Sequence, residues 1–440
     1  MAGDPESGNT TKSRKWVIIG SVVAVVAIIA IAVGVGVGVT QSNKNKDNNS
    51  SSSSSSAGSG ATVGAPGSAS NPGGPRQTDP NDPSTFETDP NLHKAFWALA
   101  YTPEDSQLPN CGNSLEKVIK DVQVCVRYSL PMPSGRDVIR VFAATLATYH
   151  TDSVIWCRLQ PVGSRGEFAS LTLPGFDWPQ YFLAQLEAIK QTKTNLQVYL
   201  GNYVVPDDNG AAYTRQRDVI KQAIQTYGTD HIAGITVGNE FMLNYMLSNG
   251  GGSPDSAIGN TGAAILINNI QDTQKMLSDM KLPKTIPVGN SDAGAWFNTR
   301  VLQAVDYGMA NVHPWFANVT IQDAASWTNQ FFQETNVQPA SLLSNKACPK
   351  MYIAETGWPT ASSDKANESN GAATASLANL QTFMDTFVCQ ANTNGTGYFF
   401  FEFTDEKWKD IQFGGVEGHW GLFNGDRSLK NLKIPSCTAP

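Results

Sequence analysis

The sequence predicts an α/β protein built as a (β/α)8 barrel, also called a TIM barrel, preceded by one N-terminal transmembrane helix and a disordered Ser-rich stalk. Three observations carry this prediction. A long uncharged segment lies near the N-terminus, a low-complexity segment follows it, and eight short apolar runs then alternate with longer helical stretches. Repeated strand and helix units with apolar strands favour a closed parallel barrel.

The N-terminal segment is predicted to be a membrane signal-anchor. Residues 1–15 end in basic side chains, and the 24 residues 16–39 carry no charge. Such a helix would reach about 36 Å, enough for a hydrocarbon core of about 30 Å, and it exceeds the apolar region of a cleaved signal. An Ala-Ile-Ala sequence at 30–32 leaves cleavage as an alternative. The basic tail predicts a single-pass type II protein in the cell membrane, with the following chain extracellular.

Residues 40–90 are predicted to form a disordered stalk, with the barrel domain at 91–440. The segment consists mainly of Ser, Gly, Asn and Pro and includes an unbroken serine run at 50–56. It cannot bury enough apolar surface to offset the entropy of ordering. Glycosylation sequons agree with a secreted glycoprotein, and they lie at Asn48, Asn49, Asn318, Asn367 and Asn394.

The composition argues against several classes of protein. With 31 basic and 38 acidic residues, the formal net charge is -7, which is unfavourable for binding nucleic acid. The six cysteines all follow the predicted span and suggest disulfides of undetermined pairing. The five histidines are scattered, so neither a metal nor a cofactor is expected. The oligomeric state is left open.

The apolar runs define the predicted strands, and a barrel places its active site at their carboxyl ends. The predicted strands are Ala95–Ala100, Val138–Ala143, Leu196–Leu200, Ile232–Val237, Ile286–Gly289, Met309–Val312, Met351–Ala354 and Gly397–Phe403. Predicted helices between them include Arg215–Tyr227, Ala263–Met280 and Ala372–Val388.

Two of these strands end in a glutamate. Glu240 follows the fourth predicted strand and Glu355 follows the seventh. Cleavage of a glycosidic bond needs two carboxyl groups, one to protonate the leaving oxygen and one to attack or to activate water. The alternative is a pair of ion-paired residues at strand ends. The pattern predicts a glycoside hydrolase with Glu240 and Glu355 as its catalytic residues.

The residues around both glutamates resemble motifs of family 17 glycoside hydrolases. Glu355-Thr356-Gly357-Trp358-Pro359 resembles the nucleophile signature, and Gly238-Asn239-Glu240 resembles the acid/base motif. The likeness extends over about residues 92–437 and is strongest to the fungal branch that includes type II membrane glucan endo-1,3-beta-glucosidases. It implies a retaining mechanism, with Glu355 as nucleophile, Glu240 as acid/base and the two carboxyl groups about 5–5.5 Å apart.

The same resemblance implies residues that bind substrate. Asn239 would hydrogen-bond the sugar 2-hydroxyl, unless it only caps the strand. Tyr101 would orient the nucleophile through its hydroxyl, unless it is a core tyrosine at the barrel rim. His313, Trp315 and Phe316 end the sixth strand and would offer an aromatic surface to glucose, with a buried structural role as the alternative for His313.

Three further residues are predicted to bind substrate on the same ground. Glu406 and Lys409 follow the eighth strand and resemble polar residues that line the substrate cleft. A solvated salt bridge between them is the alternative. Trp358 would lie either beneath the site or at the rim of the sugar cleft.

The second strand departs from the family pattern. Ile139 to Ala144 keep only the arginine and the apolar-aromatic pair of a longer polar motif, and the chain then runs some thirty residues beyond the expected length. Residues 125–183 therefore contain either an insertion or a gene-model error. The error is preferred, because the motif is lost rather than displaced. Poor folding at this strand and the loss of a polar wall of the site are the expected consequences.

The sequence thus predicts retaining endo-hydrolysis of β-1,3-glucosidic bonds in cell-wall β-glucan, in support of wall remodelling. A β-1,3-glucanosyltransferase that uses the same covalent intermediate is one alternative. A catalytically disabled wall-glucan-binding protein is another. The expected partners are β-1,3-glucan and the membrane.

Overall fold

The computed structural model describes residues 95–103, 114–127, 139–143, 181–343 and 348–437. The predicted cytoplasmic tail, span and stalk lie outside these residues, as does most of the atypical segment 125–183. Within the described ranges, none of the helices combines the length and the apolar character that a bilayer crossing requires.

Eight parallel strands close into a barrel, which confirms the predicted barrel fold. Each strand pairs with the next along the chain, and the first also pairs with the last. The strands are β1 (Ala98–Ala100), β2 (Ile139–Ala143), β3 (Leu196–Asn202), β4 (Ile232–Val237), β5 (Val288–Ala293), β6 (Tyr307–Asn311), β7 (Lys350–Thr356) and β8 (Tyr398–Phe400).

Helices connect the strands around the outside of the barrel. They are α1 (Leu115–Arg127), α2 (Tyr181–Thr192), α3 (Ala211–Tyr227), α4 (Phe241–Ser248), α5 (Ala257–Asp279), α6 (Thr299–Ala304), α7 (Ala324–Phe332), α8 (Gln338–Ser341), α9 (Leu377–Thr393) and α10 (Lys407–Phe413). A π-helix at Gln333–Val337 joins α7 to α8, and a hairpin pairs Ser369–Asn370 with Ala373–Thr374. The helix predicted at 372–388 begins later, because Ser376 caps it by accepting from the Asn379 amide.

Tyrosines fill the barrel interior between its two ends. Tyr307 stacks edge-on against Tyr199 and Tyr352, with ring centroids 5.4 and 6.2 Å away, and its hydroxyl lies 2.9 Å from Thr236 Oγ1. Gly289 makes room for this ring, since a Cβ there would overlap it. Below the strand ends that carry the two glutamates, the barrel interior is therefore filled by packed tyrosine rings, here called the tyrosine floor.

The second strand forms part of the barrel at the start of the atypical segment. β2 pairs with β3 at all five of its positions and with β1 at three. Parallel pairing uses backbone groups, so the loss of the family's side-chain motif does not prevent it. The excess residues after 143 lie outside the described part.

One disulfide joins Cys389 in α9 to Cys437 near the C-terminus. On the same helix, the Asn392 side chain donates to the Ala95 carbonyl oxygen at 2.7 Å. The C-terminal segment and the start of β1 are thus fastened to one helix. Cys348 is an exposed free thiol, and the side chains of Cys111, Cys125 and Cys157 lie outside the description.

Candidate active site

Glu240 stands in a sharp turn between β4 and α4. Gly238 and Glu240 both have positive φ, 84° and 53°, on either side of Asn239. A Cβ on Gly238 would come within 3.0 Å of Leu266 and 3.1 Å of the Asn290 amide, so glycine suits the position on both counts. The turn makes Glu240 the residue immediately before α4, and its side chain forms no hydrogen bond with that helix.

The Glu240 side chain is held by residues from the neighbouring strands. The Asn311 side-chain amide donates to Glu240 Oε1 at 3.0 Å and lies 3.3 Å from Asn239 Oδ1. Asn239 Oδ1 also accepts from the Ser291 hydroxyl at 3.0 Å. Because Oε1 accepts a hydrogen bond, Oε2 is the oxygen left to carry a proton.

The environment of Glu240 favours its protonated form. Burial and the neighbouring Glu355 carboxylate raise the pKa of Glu240 to about 7, against the opposing effects of Asn311 and His313, while Glu417 adds to the rise. A general acid works best when its pKa lies near the operating pH. Glu240 therefore has the properties of an acid/base group near neutral pH.

Glu355 lies opposite, at the end of β7, and is 5% exposed. Its Oε2 is 3.3 Å from His313 Nε2. A carboxylate only accepts hydrogen bonds, so Nε2 must be the ring nitrogen that carries the proton. Within the described chain, the other oxygen, Oε1, is buried without a hydrogen-bond partner. One oxygen is thus fixed, and the other is free to act as a nucleophile.

Glu406 and Lys409 belong to a buried ion cluster and do not line an open cleft as the sequence predicted. Lys409 Nζ lies 2.8 Å from Glu402 and 3.2 Å from Glu406, and all three side chains are at most 3% exposed. Burial, then Glu406, raises the pKa of Glu402, while Lys409 opposes the rise. Lys409 also interacts electrostatically with Glu355, so this buried cluster influences the charge of the site without facing solvent.

Tyr101 does not orient the nucleophile through its hydroxyl. That hydroxyl donates to Asp121 Oδ2 of α1 at 2.8 Å, and Asp121 is also paired with Arg427. A phenol has one proton to donate, so Tyr101 fastens the end of β1 to α1 and to the C-terminal segment.

Trp358 and Trp315 are too buried to offer a ring to a sugar. Trp358 is fully buried, packs against Phe383 and donates from Nε1 to the Thr374 carbonyl at 2.8 Å. Trp315 is 5% exposed and lies behind Phe316, with ring centroids 5.1 Å apart. Among Trp315, Phe316 and Trp358, only Phe316 keeps a partly exposed ring.

Five polar residues of the site were not among the sequence-predicted ones. The predicted fifth strand ends at Gly289, before Ser291 and Asp292, and the predicted sixth strand includes Asn311 as an interior residue although the strand ends there. The sequence does mark the other two residues, Glu402 and Glu417. Glu402 interrupts an aromatic run, and Glu417 directly precedes the Gly418-His419-Trp420 segment. Burial raises the pKa of Glu417, with Lys409 and His313 opposing it.

Several buried polar atoms around the two glutamates have no hydrogen-bond partner among the described residues. They are Asn239 Nδ2, His313 Nδ1 and Glu355 Oε1. Buried polar groups are normally satisfied, so these atoms are available to hydrogen-bond a bound ligand. The described residues contain no group of three His, Cys, Asp or Glu side chains placed to hold a metal ion.

Comparison with known proteins identifies the family of the chain. Residues 182–421 match the family model of the BtgE/BtgC glycoside hydrolase domain. The chain is 32% identical over 360 residues to a putative glucan endo-1,3-beta-glucosidase btgC of Aspergillus niger, covering 79% of this chain and 44% of that protein. It is 29% identical over 364 residues to the glucan endo-1,3-beta-glucosidase btgC of Emericella nidulans, covering 79% and 47%.

Solved structures share the fold. A glycoside hydrolase family 17 β-1,3-glucanosyltransferase from Rhizomucor miehei superimposes with a TM-score of 0.53 at 20% identity, over 78% of this chain and 97% of that one. An endo-laminarinase from Formosa gives 0.55 at 16% identity, over 77% and 86%.

The fold and the paired glutamates are those of a barrel of the glycoside hydrolase class. The family-model match covers more than half of the chain. This chain belongs to the BtgE/BtgC glycoside hydrolase family. It spans less than half the length of the curated relatives named above.

Proposed function

We propose that this chain is a retaining glycoside hydrolase that cleaves internal β-1,3-glucosidic bonds of cell-wall β-glucan. The observation that carries the proposal is the contrast between the two glutamates. Glu240 is protonated near neutral pH and is held through Oε1, whereas Glu355 is held through Oε2 with Oε1 unpaired. An acid and a nucleophile side by side are what glycosyl transfer with retention requires.

In the first step, Glu355 Oε1 attacks the anomeric carbon while the bond from that carbon to the leaving oxygen breaks. Glu240 Oε2 gives its proton to that oxygen. In the second step, Glu240 takes a proton from water, the water oxygen bonds to the anomeric carbon, and the bond to Glu355 breaks. Asn311 and His313 keep the two carboxyl groups in place throughout.

The substrate class is supported by the relatives and by the site. The curated relatives are named glucan endo-1,3-beta-glucosidases, and the structural neighbours are a β-1,3-glucanosyltransferase and an endo-laminarinase. The half-buried ring of Phe316 packs beside His313, with centroids 5.7 Å apart, so an aromatic face lies next to the nucleophile's partner. Sugar rings stack favourably on such faces.

The test uses the full-length chain and its Glu355→Gln variant on laminari-oligosaccharides of defined length. We expect the wild type to yield shorter products whose new reducing ends are initially β-anomers. Glu355→Gln should lose on the order of 10⁴-fold or more in kcat, because the nucleophile is gone. Glu334→Gln is the matched control, since Glu334 is exposed on the π-helix.

Other outcomes would redirect the proposal. Products longer than the substrate would identify a β-1,3-glucanosyltransferase, in which a second sugar replaces water. A wild-type chain that binds the oligosaccharides without turning them over would be a glucan-binding protein. Initial α-anomers would exclude the retaining mechanism.

We further propose that the barrel domain, 91–440, works outside the cell membrane on the predicted stalk and type II anchor. The support is the uncharged segment 16–39 behind a basic tail and the three exposed sequons at Asn318, Asn367 and Asn394. Resistance of the full-length chain to alkaline extraction, together with a mass loss after removal of N-glycans, is the expected result. Release by alkali would contradict the anchor.

A further inference from the structure

The helix that follows Glu240 receives its N-terminal cap from another strand. Glu240 occupies the N-cap position of α4, but its side chain forms no capping hydrogen bond. The second and third residues of that helix, Met242 and Leu243, are 0% and 2% exposed. Their backbone N–H groups would be buried and unsatisfied if nothing else reached them.

Asp292 of β5 supplies the missing acceptor. Its Oδ2 accepts from the Met242 amide at 2.8 Å, and its Oδ1 accepts from the Leu243 amide at 3.3 Å. These are the two amides that an ordinary N-cap side chain serves. Asp292 is 0% exposed, and its Oδ1 also accepts from the Ala293 amide at 3.0 Å.

We propose that Asp292 is a positioning residue for the acid/base: it caps α4 in place of Glu240, which leaves the Glu240 carboxyl free to face the substrate. Left-handed backbone costs a non-glycine residue about 1–2 kcal/mol, so the turn at Glu240 needs outside support. A fixed helix start supplies it. This inference rests on the proposed function, since it assigns a role within the same reaction.

Asp292 also balances charge. A helix N-terminus carries roughly half a positive charge, which would favour the ionised form of a carboxyl placed there. A carboxylate at Asp292, which bonds the same helix start, would oppose that effect at Glu240. Burial raises the pKa of Asp292 well above its usual range, and Glu240 adds to the rise, while hydrogen bonds from backbone amides oppose it. Both oxygens of Asp292 accept N–H bonds, which suits a carboxylate.

The other titratable groups around Glu240 come from different elements. Glu355 ends β7, His313 follows β6, and Glu417 lies in the segment after α10. Tyr203, which follows β3, faces both Glu240 and Asp292, and burial with these two carboxyls raises its pKa. Among these groups, Asp292 is the carboxyl that bonds the helix behind the acid.

The variant to make is Asp292→Asn in the full-length chain. It keeps the shape but removes the charge and turns an N–H group toward backbone N–H donors. We expect kcat/KM on laminari-oligosaccharides to fall about 10- to 100-fold, as for partial loss of general acid catalysis. We also expect the basic limb of the pH profile to move down by about half to one pH unit.

A second substrate separates positioning from general damage. A 2,4-dinitrophenyl β-glucoside has a leaving group that departs without protonation, and kcat/KM reports only the steps up to the glycosyl-enzyme. Asp292→Asn should therefore keep its kcat/KM on this substrate within about threefold of the wild type, because the acid contributes little there. Equal losses on both substrates, or an unmoved pH profile, would overturn the proposal.

The control is Asp306→Asn. Asp306 accepts from the Val288 amide at 2.8 Å at the opposite end of the barrel. It should lower stability without moving the pH profile, and a shift equal to that of Asp292→Asn would count against a specific role for Asp292.

A measurement on the wild type covers the case in which Asp292→Asn does not fold. The amide protons of Met242 and Leu243 should exchange slowly at pH 7 because both are capped. Fast exchange at these two amides would overturn the proposal without any variant. If the wild type cleaves no glucan yet protects both amides, the capping stands and the proposed function fails.

Discussion

Gly357 and Phe401 approach so closely that a Cβ on the glycine would overlap the phenylalanine carbonyl oxygen. Gly357 lies two residues after Glu355, the proposed nucleophile, and Phe401 directly follows β8. The two strand ends are thus packed backbone to backbone beside Glu355. A side chain cannot be accommodated there by a change of rotamer, because the obstacle is backbone.

The variant Gly357→Ala should be less stable than the wild type by about 2–3 kcal/mol and should lose most of its activity. Overpacking of this kind forces the backbone to shift, and Glu355 would move with it. Denaturant unfolding and kcat measure the two effects. Gly425→Ala is the control, since a Cβ there would meet nothing within 4 Å. Equal stability of the two variants would contradict the packing argument.

The pH profile of kcat/KM should fall as the pH rises through about 7, where Glu240 loses its proton. The Asn311 amide bonds the Glu240 carboxyl and holds its pKa down, so Asn311→Ala should move this limb to higher pH. Initial rates on a laminari-oligosaccharide from pH 4 to 9 measure both positions. A move to lower pH would mean that the hydrogen bond does not favour the ionised form.

The free energy of unfolding should depend on pH through Glu240. The pKa of this carboxyl is about 7 in the folded chain against 4.5 for an unperturbed glutamate. Between these values the folded state holds a proton that the unfolded state has released, so stability falls as the pH rises, by on the order of 3 kcal/mol in total.

Replacing the group tests this directly. Glu240→Gln cannot ionise, so its advantage in stability over the wild type should be larger at pH 8 than at pH 4.5, while activity on laminarin is lost. Urea unfolding at both pH values gives the comparison. If the free energies of unfolding of variant and wild type differ by the same amount at both pH values, the pKa of Glu240 is not raised in the folded chain.

Removing Lys409 should destabilise the barrel by about 3–5 kcal/mol, because two buried carboxyls lose their cation. Lys409→Met leaves Glu402 and Glu406 facing each other, and adding Glu402→Gln should recover part of the loss. Lys275→Met is the matched control. Lys275 pairs with Asp279 at 2.6 Å, but the two side chains are 71% and 64% exposed, so its loss should leave the stability nearly unchanged. Similar losses for Lys409→Met and Lys275→Met would contradict the buried cluster.

The barrel and the glutamate pair could be predicted from the sequence because both are local patterns. A buried strand reads as an apolar run, and a carboxylate directly after it marks the catalytic end, as at Glu240 and Glu355. One residue of the motif around Glu355 has a structural explanation: Gly357 must be glycine because of its contact with Phe401.

The partners of the glutamates could not be predicted in the same way. β5 was predicted to end at Gly289, but it continues through Asn290, Ser291 and Asp292, polar residues that pack and hydrogen-bond within the barrel. Burial of a polar strand end depends on what faces it, which no local pattern records. The burial of Lys409 could not be predicted for the same reason, since it depends on the ion pair with Glu402.

The tyrosine floor beneath the site links residues that are distant in the chain. Gly289 leaves room for the ring of Tyr307, just as Gly397 leaves room for the ring of Tyr352. A larger residue at either glycine fits only if the ring opposite becomes smaller. In related chains, a larger residue at one of these glycine positions should therefore occur together with a smaller residue at the paired tyrosine position. A larger residue at the glycine position alone should be rare among chains that still fold.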